Sequence, residues 1–161
     1  MSESIFKIVF NTWFDAIRSY LLYRCGDEEL ATDITQEAFL KLWTKRLYQN
    51  PESIPAIIYK IASDLLVSHF RKQNSENKYR LSLQPEAVTL TPEEELNYHE
   101  LNRKYEIALS KLPENQRTVF LMSRMESLKY QEIAARLGIS VKAVEKRMSS
   151  ALSTLRNVLQ P

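Results

Sequence analysis

The sequence predicts an all-α protein of two small helical domains, a three-helix bundle followed by a four-helix domain, joined by a flexible linker. Three observations predict it. Only two glycines stand against abundant Leu, Ile, Ala, Glu, Lys and Arg, a composition that favours helix over sheet. Apolar residues recur at steps of three and four along most of the chain. The one long loss of that periodicity falls at residues 73–90, where Gln, Asn, Ser and Pro gather. The domains are therefore read as 1–72 and 91–161. Hydrophobic residues make up 44% of the 161, enough for a core in each. Halves of about 70 residues nevertheless bury only about 60% of their unfolded surface and are marginal alone.

The first helix is expected from about Ser4 to Cys25, with Phe6, Phe10, Trp13, Phe14, Tyr20 and Tyr23 along it, and Gly26 as its end. Asp27 is placed to cap a second helix reaching about Leu47, with Leu30, Ile34, Ala38 and Leu42 turned inward at steps of four. The polar stretch from Tyr48 to Ser53 breaks the pattern. A third helix from about Ser53 to Lys72 turns Ile54, Ile57, Ile58, Ile61 and Leu65 inward. Thr91-Pro92-Glu93-Glu94 is a helix start: Thr as N-cap, Pro in the first turn, Glu three residues on. That helix runs to about Ser110, and Pro113 opens the next.

A helix-turn-helix follows. Ile133, Ala134, Leu137, Gly138, Ile139 and Val144 supply apolar contact, a small residue and a tight turn. Gly138 stands where a left-handed residue is needed, which glycine adopts without steric cost. Ser140 is placed as the next N-cap, with Ile139 and Val144 spaced as a hydrophobic staple. Val144, Met148, Leu152, Leu155 and Leu159 then form a buried stripe at steps of four and three. Lys142, Glu145, Lys146, Ser149 and Ser150 are left facing outward, with Arg147 at the stripe's edge. A helix so divided fits a major groove.

Bulk properties narrow the class. A single cysteine, Cys25, forms no internal disulfide, which suits a reducing compartment. With no signal peptide and no apolar run long enough to span a bilayer, the expectation is a soluble cytoplasmic protein. The formal net charge is only +2, small for a free-standing DNA binder. The charge is uneven, however. Residues 141–161 carry Lys142, Lys146, Arg147 and Arg156 against Glu145 alone, while six glutamates lie between Ser75 and Glu100. This pattern favours a protein delivered to DNA by a larger machine. There is no glycine-rich phosphate loop, no Cys/His metal spacing and no nucleophile-base set. No enzyme, metal or cofactor is expected. His69 and His99 are read as structural or solvated, Cys25 as a small core residue, and the first-helix aromatics as core.

On the second helix, Asp33, Gln36, Glu37 and Leu40 fall at i, i+3, i+4 and i+7, opposite the inward line. By spacing alone this is either an ordinary solvated acidic face or a docking strip for a basic partner helix.

The residues DEELATDITQEAFLKLW, 27–43, resemble the second conserved region of bacterial sigma factors of the extracytoplasmic-function (ECF) group. Leu112–Leu155 resembles the fourth region of the same group, including its Leu-Pro opening and the Tyr-x-Glu-Ile-Ala core at Tyr130–Ala134. The third helix, ending IASDLLVSHFRK at 61–72, matches the promoter-melting part less closely. The style of the fourth region and the short length resemble a subgroup common in Bacteroidetes, often paired with a membrane anti-sigma factor.

The resemblance implies a protein that binds core RNA polymerase and directs it to promoters for transcription initiation. Asp33, Gln36, Glu37 and Leu40 would meet the helices of the polymerase β′ clamp, and apolar residues around Leu112–Leu121 the β flap. Lys142, Ala143, Glu145, Lys146, Arg147 and Ser149 would read the minus-35 element. Asp64, Ser68, His69, Arg71 and Lys72 would face the minus-10 element, beside a loop at about Lys45–Ser53 that helps hold an extruded base. Tyr48 or Tyr59 could stack on such a base, but each is read instead as an ordinary core or surface residue. The family commonly has Asn where this chain has Asp64, and Asp followed by an aromatic where it has Ser68-His69. An ionised Asp only accepts hydrogen bonds and repels phosphate, which places minus-10 specificity and melting in question. Two alternatives stay open: a stand-alone helix-turn-helix regulator, and a sigma-like adaptor that no longer melts promoters.

Overall fold

The structure, a computed structural model, describes residues 2–73 and 91–159. The expected linker therefore lies almost wholly outside the described residues. Seven helices follow one another: α1 (Ser2–Cys25), α2 (Glu28–Thr44), α3 (Ile54–Gln73), α4 (Pro92–Lys111), α5 (Glu114–Glu126), α6 (Tyr130–Leu137) and α7 (Val141–Leu159). There is no strand among the described residues. The all-α class and the three-plus-four division agree with the expectation.

In the first half α1, α2 and α3 pack pairwise. The carbonyl of Leu22 accepts from Gly26 N–H at 2.8 Å, and Gly26 takes the positive φ of 71° that stops α1. Asp27 caps α2 by accepting from Leu30 N–H at 3.1 Å. Ile34, Ala38 and Leu42 are buried as expected, with Leu30 partly so, and Ala31, Thr35 and Phe39 join them. The helix stops at Thr44, three residues before the expected Leu47, because Arg46 turns left-handed at φ 52°. In α3 the buried line is Ile54, Ile58, Ala62 and Leu66, with Tyr59 beside it. Ile57, Ile61 and Leu65 lie on its partly covered flank, since neighbouring helices press on one side of a broad apolar face.

The aromatics of α1 close one end of this bundle. Phe6 meets Trp43 edge-on with centroids 4.8 Å apart, Phe10 meets Phe39 at 5.1 Å, and Tyr48 stacks on Trp43 with planes 6° apart. Such pairs contribute about 0.5–1.5 kcal/mol each beyond their area. Tyr48 and Tyr59 are both buried, so the loop after α2 is pinned from within and neither ring is presented for base stacking.

The second half is organised by α7, against which α4, α5 and α6 all pack. Thr91 and Glu94 close a full capping box at the start of α4: Glu94 N–H donates to Thr91 Oγ1, and Thr91 N–H to Glu94 Oε2. Gly138 ends α6 at φ 67°, with Ile139 N–H returning to the Ala134 carbonyl at 3.1 Å. Ser140 Oγ then accepts from Ala143 N–H at 3.1 Å and caps α7. The buried stripe of α7 is Val144, Met148, Ala151 and Leu155. Leu152, expected inside, is 37% exposed; at 3.6 residues per turn a step from 148 to 151 holds the line better than one from 148 to 152.

A Cβ built on Gly138 would meet nothing within 4 Å, so a substitution there is penalised by backbone conformation alone. Gly138→Ala is expected to cost about 1–2 kcal/mol, with Gly138→Asn costing less because Asn tolerates the left-handed region. Chemical denaturation of the three proteins checks the order.

Candidate nucleic-acid interface and the contact between the two halves

Each expected site residue has a definite place. On α7, Lys142, Glu145, Lys146 and Ser149 are exposed and fall on one line, while Ala143 and Arg147 are half-buried at its flank. Three of those four residues carry charge and the fourth a hydroxyl, all able to reach base edges or phosphate oxygens. Arg147 also borders a cleft with Tyr20, Arg24, Ser63 and Asn115, so its side chain stands between the two halves of the protein.

On α2, Asp33, Gln36, Glu37 and Leu40 are all exposed, and Leu40 is 60% so. They form a continuous strip on the face opposite the core. Gln36 and Leu40 continue it into an apolar groove walled by Phe6, Phe10, Phe39 and Trp43. Leu40 stands open to solvent at the end of the acidic strip, beside that groove.

On α3, Asp64, Arg71 and Lys72 are exposed while Ser68 and His69 are half-buried. Asp64 pairs with Lys60 one turn earlier at 3.5 Å. Both are well exposed, so the pair adds little stability but sets a cation beside the carboxylate. The His69 ring stands edge-on to Phe70 at 5.8 Å. Around Leu112–Leu121 the apolar residues Leu112, Val119, Phe120 and Leu121 are all buried.

The residues that sequence reasoning missed are those joining the halves. Helix α5 packs on α1, and α6 on α3. Arg117 of α5 is 3% exposed. Its Nε donates to the Tyr23 carbonyl and its Nη2 to the Arg24 carbonyl, both at 2.8 Å, while Nη1 donates to Leu112 O at 3.1 Å. The last carbonyls of a helix have no partners within it and carry a partial negative charge. A guanidinium is therefore a strong cap for the end of α1. Arg24 reciprocates: its Nε donates to Glu114 of α5, and its Nη1 to Ser63 Oγ at 2.6 Å and Tyr20 OH at 3.1 Å.

A second arginine holds the other contact. Arg136 of α6 lies 4.9 Å from the Trp13 ring centre, donates to Tyr59 OH at 3.3 Å and pairs with Glu126 at 3.8 Å. Burial pushes the Tyr59 phenol up to about 12, against the pull of Arg136. Burial likewise raises the Glu126 carboxyl above its usual range, opposed by Arg136 and the Tyr23 hydroxyl. Glu126 Oε2 is buried without a hydrogen-bond partner. The sequence held only a faint signal for Arg117: it precedes the apolar run Val119–Met122 and falls one turn before Leu121 on the same side of the helix. What it would meet was not legible.

Two helical halves, one with an acidic strip and one with a partly basic recognition helix, define a multi-domain DNA-reading protein. The comparisons give the class its family. Residues 9–76 match the family model for sigma-70 region 2, and residues 103–155 the model for sigma-70 region 4. The chain is 28% identical over 149 residues to the ferric citrate uptake sigma factor FecI of Escherichia coli strain K12, covering 91% of this chain and 86% of that one. It is 27% identical over 161 residues to the ECF RNA polymerase sigma factor SigE of Mycolicibacterium smegmatis, covering 92% of this chain and 62% of that relative. Its fold is similar to that of the sigma factor RpoE in a co-crystal with the anti-sigma factor NepR from Bartonella quintana, with TM-score 0.67, 21% identity and 96% of both chains covered. The chain belongs to the sigma-70 family and is a sigma factor of the ECF type.

Glu126 gives this site a pH signature. A carboxyl with a raised folded pKa binds its proton more tightly folded than unfolded, so its contribution to stability falls as pH rises from the ordinary glutamate range through the raised value. The stability difference between wild type and Glu126→Gln is expected to shift against the wild type across that window. Denaturation midpoints of both proteins, measured from acid to neutral pH, check it.

Proposed function

We propose that the chain binds core RNA polymerase through α2 and directs it to promoters through α3 and α7. The observation that carries this reading is that one chain presents two separate charged faces. The strip Asp33, Gln36, Glu37, Leu40 is exposed on α2, and the line Lys142, Glu145, Lys146, Ser149 is exposed on α7. A stand-alone operator binder has no use for the first. In this reading residues 1–72 form the polymerase-clamp and minus-10 unit, 73–90 the linker, and 91–161 the minus-35 unit.

Chemically, the α2 strip suits the basic side of the β′ clamp helices, with Leu40 entering an apolar gap between them. The α5 segment around Leu112–Leu121 is assigned to the β flap. Lys142, Ala143, Glu145, Lys146, Arg147 and Ser149 face the minus-35 element. There a Lys or Arg on a guanine edge gives about 1–3 kcal/mol of discrimination, and phosphate contacts set position. Asp64, Ser68, His69, Arg71 and Lys72 face the minus-10 element, with Arg71 and Lys72 as backbone clamps. The chain contributes no catalytic residue; nucleotide addition belongs to the polymerase. An anti-sigma factor is the regulatory partner, membrane-bound if the chain is of the Bacteroidetes-like subgroup.

Asp64 supports a narrower variant of this reading, an adaptor that binds polymerase but melts promoters weakly. Its exposed carboxylate sits on the helix assigned to the separated strand, and Lys60 offsets only part of its repulsion.

The deciding experiment is binding of labelled protein to bacterial core RNA polymerase. An Asp33→Lys, Glu37→Lys double variant is expected to bind about a hundredfold more weakly at low ionic strength, since like charges facing a basic helix cost several kcal/mol. Equal binding of variant and wild type would remove the assignment. On the DNA side, Lys146→Ala in the holoenzyme is expected to lower minus-35 affinity and flatten the salt dependence by about one phosphate contact. Promoter binding titrated across salt concentrations measures both.

A further inference from the structure

Helices α1, α3, α5 and α7 supply the polar walls of a cleft of about 520 Å³ beside the junction of the halves. Its charged residues are Arg24 from α1, Arg147 from α7 and Glu114 from α5. Two cations therefore border it with one carboxylate, and that carboxylate is already paired with Arg24. Arg147 is half-buried, yet among the described residues no hydrogen bond or ion pair engages its guanidinium. A partly desolvated cation is stabilised by a counter-charge within reach. The cleft is where Arg147 can meet one.

The hydrogen-bonding groups around it are mostly donors. Arg24 engages Glu114 through Nε, and Tyr20 OH and Ser63 Oγ through Nη1. Its Nη2 has no acceptor among the described residues. The Ser63 and Tyr20 hydroxyls accept from Arg24 at 2.6 and 3.1 Å and keep their own protons to donate. The exposed Asn115 adds an amide NH₂ at the start of α5. Thr118, by contrast, spends its hydroxyl proton on the Glu114 carbonyl at 2.8 Å.

That donor set selects the chemistry of an occupant. A carboxylate brings two oxygens and one charge, too little for two guanidiniums, two hydroxyls and an amide. A phosphate group brings three strong acceptor oxygens and a larger negative charge near neutral pH, and the guanidinium fork matches its geometry. The cleft volume falls within the range of small-molecule sites, about 300–1,000 Å³, which leaves room for more than one phosphate. The two guanidiniums come from different halves of the chain, so adjacent phosphates, one at each, suit the site better than a single one.

We propose that this cleft binds a small molecule carrying a diphosphate group, held between Arg24 and Arg147 with Ser63, Tyr20 and Asn115 donating to its oxygens. The site stands independently of the polymerase-binding reading. On that reading Arg147 also belongs to the minus-35 set, so a bound diphosphate occupies a cation that promoter DNA would otherwise use.

Calorimetric titration of the full chain with inorganic pyrophosphate and with ATP, at constant ionic strength, tests the site. The expected result is one saturable site for pyrophosphate, with ATP bound at least as tightly. Arg147→Gln is expected to weaken both at least about tenfold, the effect of losing a charge-assisted hydrogen bond. Asn115→Asp places a carboxylate at the cleft instead, at a helix start where an acid is well tolerated. It is expected to weaken both anions as well, and replaces Arg147→Gln if that protein loses its helicity. Lys142→Gln, Lys146→Gln removes two cations from the exposed line of the same helix. Those charges are screened by salt, and both affinities are expected to stay within about twofold. A duplex oligonucleotide, titrated in parallel, represents the other source of phosphate. Failure of pyrophosphate to titrate into the folded wild type overturns the site, and duplex binding in its place assigns Arg147 to the DNA backbone alone. An anion affinity that falls as far in the lysine variant as in Arg147→Gln overturns it too, as does one that neither Arg147→Gln nor Asn115→Asp reduces.

Discussion

A guanidinium buried at the end of another domain's helix is the constraint around which this protein is arranged. Arg117 satisfies two carbonyls that α1 cannot satisfy itself and a third, that of Leu112, at the end of α4. An unpaired buried cation is very costly, so Arg117 must either stay where those carbonyls are or reach water. That fixes how the second half is seated on the end of α1. Arg136, between Trp13 and Tyr59 and paired with Glu126, repeats the arrangement at the α3–α6 contact.

The functional faces are disposed around that constraint. The α2 strip and the recognition line of α7 point away from the contact and stay open. Arg147 and Asp64 border clefts at the contact, so one member of each proposed DNA-reading set lies beside the junction of the halves. The half-buried state of Arg147 distinguishes it from Lys142 and Lys146, which are exposed on the same helix.

The core of the first half explains why its aromatic density serves structure. Phe6, Phe10, Phe39, Trp43 and Tyr48 form a continuous edge-and-stack cluster that holds the loop after α2 by its buried Tyr48. A loop anchored in this way keeps its shape while its outer residues stay exposed. The same cluster walls the groove beside Leu40, which links the rigidity of the bundle to the geometry of the docking strip.

Local chemistry alone made most of the helices legible. Asp27, Thr91, Ser140, Gly26 and Gly138 are caps whose effect reaches only a few residues, and each acts as its residue type dictates. The faces of α2 and α7 were likewise readable, because amphipathic periodicity separates core from solvent without reference to a partner. Where periodicity offered two near-equivalent positions, as with Ala151 and Leu152, only the packing of neighbouring helices decided. The relation between the halves was beyond reach for a different reason. Arg24, Glu114, Arg117 and Arg136 lie as far as 94 residues from their partners, and a buried charge identifies its counterpart only through three-dimensional proximity. The sequence by itself determined the helices, their caps and the two exposed charged faces; the tertiary structure decided how the halves meet, setting Arg117 on the end of α1 and Arg136 beside Trp13 and Tyr59 and leaving both charged faces open, because those partners are brought together only in space.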